Sequence, residues 1–287
     1  PRDKQGNYYI AMACQQDDRS LAAAHLRGTV VKLVPQAPTR RNPEAFRLEK
    51  LTGGHRFPTG IARNRQGQLF VTDNQGNYNP FNELNHVVAG ARYGFLNKVE
   101  RRDGFAPALT PPAINIPHPW TRSVNGICFL ETPARLLAEG SGSRFGPFEG
   151  LLVGCEYDTR RLVRMSLQQV GETIQGAVYP FSLDVAGEQE TFVGPLSCAV
   201  SPRGELYVGC IRDSGWGGGN NIGSLVQMRF NAKQMVAGIA EVRAQHHGFK
   251  IVFTRPVNRQ RAASLENYSV ISYTRVSTPA YGGSDKD

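Results

Sequence analysis

A short hairpin unit with a glycine at its turn recurs four times along this chain of 287 residues, and a repeat of that kind restricts the fold before any single residue is considered. Gly60 to Asp73 (GIARNRQGQLFVTD) can be laid on Ser197 to Cys210 (SCAVSPRGELYVGC). Each reads as a strand, a polar turn ending in glycine, and a second strand. The second half of the unit returns as KQGNYYIAM near the N-terminus and as FEGLLVGCE around Gly150. The four glycines, 6, 67, 150 and 204, are 61, 83 and 54 residues apart, so long unequal insertions divide the copies. Three copies lead into a further apolar strand, at Thr29 to Val34, Leu162 to Leu167 and Leu225 to Phe230, and the other leads into Leu84 to Val88. Strands grouped this way, with Gly and Pro turns and almost no helical period, predict an all-β fold: a partial β-propeller of antiparallel blades. A β-sandwich is the alternative, but a single sandwich would not produce a repeated hairpin with insertions of this length.

Composition changes after Phe230. Residues 1–230 are assigned to the incomplete propeller and 231–240 (NAKQMVAGIA) to a linker. Residues 241–287 are assigned to the beginning of a truncated Ig-like β-sandwich, whose first strands are expected in EVRAQHHGFKIVFTRPV and NYSVISY. His246 and His247 are neighbours in this pattern. Adjacent residues of a strand point to opposite faces, which argues against a joint metal site, and the two are read as turn residues. The first residues, PRDKQGNYYIAMAC, read as a turn entering a strand, so the chain is expected to be a fragment that begins inside a domain. It shows no signal peptide and no apolar run of eighteen residues, hence no transmembrane segment.

Lys and Arg number 33 against 24 acidic residues, a net charge of +9. The basic residues are scattered, with no recognition helix and no zinc spacing, so nucleic acid is not the expected partner. The charge is read as solubility and attraction to anionic ligands or surfaces. The five cysteines, at 14, 128, 155, 198 and 210, contain no CxxC pair, and their odd number forbids complete internal pairing. They are expected to be buried free thiols. Cys198 and Cys210, which flank one hairpin, are the only pair considered for a disulfide.

Chemistry concentrates in the loop that follows the second hairpin. Within the eleven residues from Asp73 to Glu83, side-chain oxygens are offered by Asp73, Asn74, Gln75, Asn77, Asn79, Asn82 and Glu83, and Gly76 leaves its carbonyl unshielded. Such a set suits a hard cation, calcium above all. An EF-hand is excluded, because the glycine falls at loop position four and the glutamate at eleven, and because the flanks read as strands. An Asn-rich surface turn without metal accounts for the same residues through backbone preference alone, and both readings stay open.

GHRFPTGIARNRQGQLFVTD, followed by NELNHVVAGARYGF, resembles the soluble glucose and sorbosone dehydrogenase family, six-bladed propellers that use pyrroloquinoline quinone (PQQ) and calcium. Upstream, DKQGNYYIA and HLRGTVVKL fit further strands of that family in order. The whole chain is more similar still to the propeller of bacterial multi-domain proteins of the membrane-bound dehydrogenase or PVC-type haem-binding kind, in which a small sandwich follows the propeller. The resemblance implies a quinone-dependent sugar or alcohol dehydrogenase, a periplasmic or secreted location, and a cytochrome or haem domain as partner in the whole protein. It implies that Gly76 and Asn77 bind the catalytic calcium through their carbonyls, and that Glu83 and the backbone of Tyr93 hold structural calcium. Asp73 joins them as a metal candidate. It further implies that Arg56, Thr59, Gln75, Gly76 and Asn77 line the cofactor pocket.

The chain departs from the family where the cofactor's three carboxylates would be gripped. Phe57 stands in place of an asparagine, Asn77 in place of a proline, a lysine is missing from Gly154 to Thr159, and two arginines are replaced around Gly194, Pro195 and Leu196. Losing three charge-assisted hydrogen bonds at about 1.5–3 kcal/mol each would cost roughly 4–9 kcal/mol, or about three to six decades of affinity. Arg122, Arg160, Arg161 and Arg212 are the possible replacements. The family's base lies upstream of Pro1, which leaves His25 and His118 as candidates within the chain, with His86 given the same weight as His25. Two alternatives to the dehydrogenase follow. One is a non-catalytic, calcium-stabilised propeller that binds a glycan or partner domain. The other is a calcium-dependent lactonase with Asp73, Asn125 and Glu156 around one metal.

Overall fold

The computed structural model describes the chain except residues 15–24, 42, 44, 78, 119, 183–191, 216–219, 277, 279, 280, 282, 283 and 287. Four antiparallel sheets follow one another along it. The first holds β1 (Tyr8–Met12), β2 (Thr29–Pro35) and β3 (Phe46–Thr52), and the second β4 (Pro58–Arg63), β5 (Leu69–Asp73), β6 (Asn82–His86) and β7 (Ile114–Ile116). The third holds β8 (Val124–Phe129), β9 (Leu152–Glu156), β10 (Arg161–Val170) and β11 (Thr173–Pro180), and the fourth β12 (Pro195–Val200), β13 (Leu206–Arg212) and β14 (Ile222–Met228). Within each sheet every strand pairs with its neighbour in sequence, the meander of a propeller blade.

The hairpin repeat recurs in the pairing. Pro58 pairs with Asp73, Val124 with Glu156, and Pro195 with Cys210. First strands therefore start, and second strands stop, at one common end of the blades. The turn glycines Gly67 and Gly204 take φ of +93° and +74°, a region that side chains avoid.

Neighbouring residues of one strand feed two different cores, as strand alternation requires. Leu152 and Val163 pack with Phe70, Leu84, Ile116 and Met165 between the second and third blades. Val153 and Leu162 pack with Leu130, Phe145, Leu206 and Val208 between the third and fourth. The innermost strands β4, β8 and β12 pack side by side. Glycine allows that approach. A Cβ on Gly60 would lie 2.1 Å from the Asn125 carbonyl oxygen, and one on Gly126 would lie 2.8 Å from Ser197 Cα.

Two buried carboxylates tie the blade ends. Asp73 accepts the backbone N–H of Arg56 at 2.7 Å and of Phe57 at 2.6 Å. Glu156 accepts those of Arg122 at 2.8 Å and Ser123 at 2.6 Å on one oxygen, and the Thr159 N–H at 2.6 Å and its hydroxyl on the other. In both blades the clamped amides belong to the two residues just before the first strand. The fourth blade has Cys210 at the corresponding place.

All five cysteines are free thiols, as expected. Other expectations change. Cys198 and Cys210 form no disulfide, because the register sets Cys198 opposite Val208 and Cys210 opposite Pro195. The C-terminal part contains the hairpin β15 (Ile239–Gln245) and β16 (Gly248–Phe253), and a separate pair, β17 (Thr274–Val276) and β18 (Ser284–Lys286). β15 thus begins inside the expected linker, drawn onto the third blade by the Arg164 guanidinium, which donates to the carbonyls of Ile239 and Ala240. NYSVISY is not a strand. Asn267 and Tyr268 are instead held to the preceding helical turn, donating to the carbonyls of Arg261 at 2.7 Å and Ala262 at 2.8 Å. His246 and His247 occupy the turn between β15 and β16, as read from the sequence, but their rings do not diverge: a ring nitrogen of each lies 2.9 Å from the other. Among the described residues no helix is long and apolar enough to cross a membrane.

Candidate functional site

The site is built from the two residues before β4 and the loop joining β5 to β6. Arg56 is 3% exposed. Its Nη1 donates to the Gln75 carbonyl at 2.7 Å, its guanidinium lies 5.1 Å from the centre of the Tyr281 ring, and its Nε is buried without a hydrogen bond. The arginine rests on Gly76, where a Cβ would fall 1.9 Å from Nε, so no other residue fits there with Arg56 in place. Gly76 and Asn79 exchange both backbone hydrogen bonds, at 2.7 and 3.1 Å, and Asn77 forms a backbone bridge with Tyr281. Tyr78 of this loop lies outside the described residues.

Side-chain amides knit the loop. Asn82 accepts from the Gln75 N–H at 3.2 Å and donates to Gln75 Oε1 and Thr121 Oγ1, both at 3.1 Å. The Asn79 amide, oriented to satisfy both its ends, donates to Glu83 Oε1 at 2.8 Å and to the Phe81 carbonyl at 3.3 Å. Asn74 donates to Ser123 Oγ at 3.1 Å, while its own Oδ1 is buried without a partner.

Behind the loop lies a second, fully enclosed cluster. His55 shares a hydrogen bond of 2.9 Å with Thr52 Oγ1, lies 3.9 Å from Asp73 Oδ2, and packs on the Tyr93 ring at 4.8 Å. Burial, with the charge of Arg92, pushes its pKa down to about 3 and keeps it neutral. Asp73 and Glu83 are cross-strand partners. Burial raises both, and the Asp73 charge raises Glu83 further. Asp73, with a backbone amide on each oxygen, is the better placed of the two to stay ionised. Asn85 donates to Glu83 Oε2 at 3.2 Å and leaves its own Oδ1 buried and unpartnered. The Tyr93 phenol donates to the His86 carbonyl and is pushed up by burial and by Glu83.

Of the residues singled out in sequence, Arg56, Gln75, Gly76 and Asn77 come together. Glu83 and Tyr93 meet in the inner cluster, and Asp73 stands between the two groups. Thr59 is apart from the loop: it is exposed on β4, and its hydroxyl donates to the Val124 carbonyl at 3.3 Å. His25 occupies an exposed turn before β2, and His118 a half-buried turn after β7. Both turns are at the same end of their blades as the loop, since Thr29 pairs with Met12 and Ile116 with Asn82. Arg122, Arg160, Arg161 and Arg212 share that end by the same register. Sequence reasoning missed His55, although it lies inside GHRFPTG, and also Asn85. Tyr281 carried no signal, because its part depends on the C-terminal segment crossing back to Arg56.

Among the described residues no three His, Cys, Asp or Glu side chains are grouped to hold a metal ion. The oxygens on offer here are amide and carbonyl, which is calcium's chemistry rather than zinc's.

Neither a family model nor a curated protein matches the chain. Among solved structures, a Thermus thermophilus protein named as an oxidoreductase (glucose dehydrogenase) superposes with a TM-score of 0.52 at 22% identity, over 78% of this chain and 62% of that one. The PQQ-bound aldose sugar dehydrogenase of Streptomyces coelicolor gives 0.49 at 17% identity, over 76% of this chain and 57% of that one. The chain thus spans less than two thirds of the length of either. The first likeness agrees with the four-sheet arrangement, and the chain has an all-β, propeller-like fold.

Proposed function

We propose that the blade end carrying Arg56 and the 74–82 loop recognises an anionic quinone cofactor of the PQQ type with the help of calcium, in a sugar or alcohol dehydrogenase-like protein. The observation that carries this reading is the Arg56 cradle: a buried guanidinium with a free Nε donor, packed on a glycine turn that no larger residue could form. Such a donor suits a carboxylate, and the carbonyls of Gly76 and Asn77 with the unpartnered Asn74 Oδ1 are the oxygens that would hold the cation. Bound there, the pair would supply a Lewis-acid-activated quinone as hydride acceptor.

The chain's own contribution is positional. Gln75 fixes the guanidinium direction, Tyr281 covers its face, and Arg122, Arg160, Arg161 and Arg212 bring positive charge to the same end. His25 and His118 are the histidines at this end that could take a hydroxyl proton. On this reading the substrate is a sugar or polyol, the partner a cytochrome or haem domain, and the location periplasmic or secreted.

The knitted amides of the loop favour a second reading, a non-redox propeller stabilised by calcium that binds a glycan or partner domain. The lactonase has less behind it, because Asp73 and Glu156 already accept backbone amides. A PQQ titration with and without calcium, followed by dye reduction with a panel of aldoses, separates the first two. Calcium-dependent stoichiometric binding with sugar-dependent reduction supports the dehydrogenase. No binding at micromolar PQQ, with calcium still raising the melting temperature, supports the recognition propeller, and no response to either ligand sinks both.

A further inference from the structure

Three of the five thiols meet where the third and fourth blades join. Cys128 is on β8, Cys155 on β9 and Cys198 on β12, and the Cys198 thiol is near enough to the other two for each to influence its ionisation. It also points at the carbonyls of Gly126, at 3.7 Å, and Val153, at 4.0 Å. The three are not equivalent. Cys128 and Cys198 line a cavity of about 360 Å³ together with Arg63, Glu131 and Pro133, whereas Cys155 is fully buried.

The backbones of β8 and β12 pack closely. A Cβ added to Gly126 would lie 2.6 Å from the Leu196 carbonyl oxygen and 2.8 Å from Ser197 Cα. Cys198 follows Ser197 directly, and Cys128 stands two residues beyond Gly126 on the neighbouring strand. A disulfide needs Cα atoms within about 7 Å, and the close approach of these two strands is what would bring Cys128 and Cys198 into that range.

We infer that Cys128 and Cys198 are a redox pair that closes into a disulfide and fastens the inner strands of the third and fourth blades together. The oxidant is a small-molecule disulfide of the glutathione type. One cysteine thiolate attacks it, forming a mixed disulfide and releasing one small thiol. The second thiolate then attacks the protein sulfur, forming the Cys128–Cys198 bond and releasing the other small thiol. Two protein thiols are oxidised, one disulfide is reduced to two thiols, and the two cysteine protons pass to the leaving thiolates. The hydrogen bond to Cys198, together with burial, pushes the Cys128 thiol up, so closure is slow at neutral pH and quickens as the pH rises.

The test is peptide mapping by mass spectrometry after the full chain is held with oxidised glutathione at pH 8.5 and its remaining thiols are alkylated. Three of the five thiols should remain, with one linked peptide pair joining Cys128 to Cys198. The pair should persist in Cys210→Ser and vanish in Cys128→Ser. The melting temperature should rise on oxidation and return with dithiothreitol. Five alkylated thiols would overturn the inference, as would a link from Cys198 to Cys155 or Cys210, or a glutathione adduct that never resolves. The mapping of the unsubstituted chain decides the matter even where the Cys128→Ser variant fails to fold. An unchanged melting temperature would refute the fastening of the blades.

Discussion

Glu156→Gln is the substitution whose effect can be worked most directly from the geometry. The carboxylate is buried and accepts four donors, two on each oxygen: the amides of Arg122 and Ser123 on one, the amide and hydroxyl of Thr159 on the other. Glutamine has nearly the same shape but keeps one acceptor, so two donors come to face an NH₂ group. Losing two charge-assisted hydrogen bonds at about 1.5–3 kcal/mol each sets an upper range of roughly 3–6 kcal/mol. Rotation of the Thr159 hydroxyl to another acceptor recovers part of it, leaving about 3 kcal/mol. At about 2–4 °C per kcal/mol for a chain of this size, the melting temperature should fall by roughly 6–12 °C. Differential scanning calorimetry and urea unfolding read this without any cofactor. Thr159→Val, which removes only the hydroxyl bond, should cost about 1 kcal/mol. If Glu156→Gln melts within a degree of the unsubstituted chain, the carboxylate clamp is not holding the blade end.

Gly76→Ala should move Arg56, because the new Cβ would overlap its Nε. A cost of about 1–3 kcal/mol should accompany loss of calcium-dependent stabilisation, read by thermal shift. Gly126→Ala meets backbone rather than a flexible side chain and should cost at least as much, with no effect on calcium response. Tyr281→Ala removes a ring that is 54% exposed, so its stability change should stay near 0.5–1 kcal/mol. Its signature should instead be faster hydrogen exchange at Gln75, Gly76 and Asn77. The His55 ring should show no titration by NMR from pH 8 to pH 5. The unfolded chain protonates this residue near 6.5 and the folded one only near 3, so the unfolded state binds the extra proton between those values. The stability advantage of the native chain over His55→Asn should therefore shrink as the pH falls through that window, by at most about 1.4 kcal/mol per unit.

The fold was legible because its signal is carried many times over. Each hairpin repeats a strand, a glycine turn and a strand, and any one copy could be misread without changing the result. The boundary strands after Phe230 lack that redundancy. NYSVISY has a strand's alternation, yet Asn267 and Tyr268 bond to the turn before them, a local competition that period alone does not reveal. The histidine turn shows the same limit, since His246 and His247 would alternate only in a continuous strand, and the turn between β15 and β16 brings their rings together.

Residue types at the site were equally visible, but their partners were not. A run of Asn, Gln, Asp and Glu can face a cation or face one another, and the sequence is identical in both cases. The geometry divides the run into members with different duties. Asp73 spends its oxygens on the amides before β4, and Gln75, Asn79 and Asn82 close the loop on itself. Asn74 Oδ1, in the Arg56 loop, and Asn85 Oδ1, in the inner cluster, remain buried with no donor. A buried acceptor without a donor costs about 1–3 kcal/mol, and a calcium ion or a bridging water at either atom would remove that cost. The two atoms also make the alternatives separable. Asn74→Ala should abolish a calcium response that arises at the Arg56 loop, whereas Asn85→Ala should abolish one that arises at the inner cluster of His55, Glu83 and Tyr93. Calcium-dependent melting of the two variants, compared with the native chain, therefore reports which cluster takes the ion, and a response that survives both substitutions would refute the assignment of these oxygens.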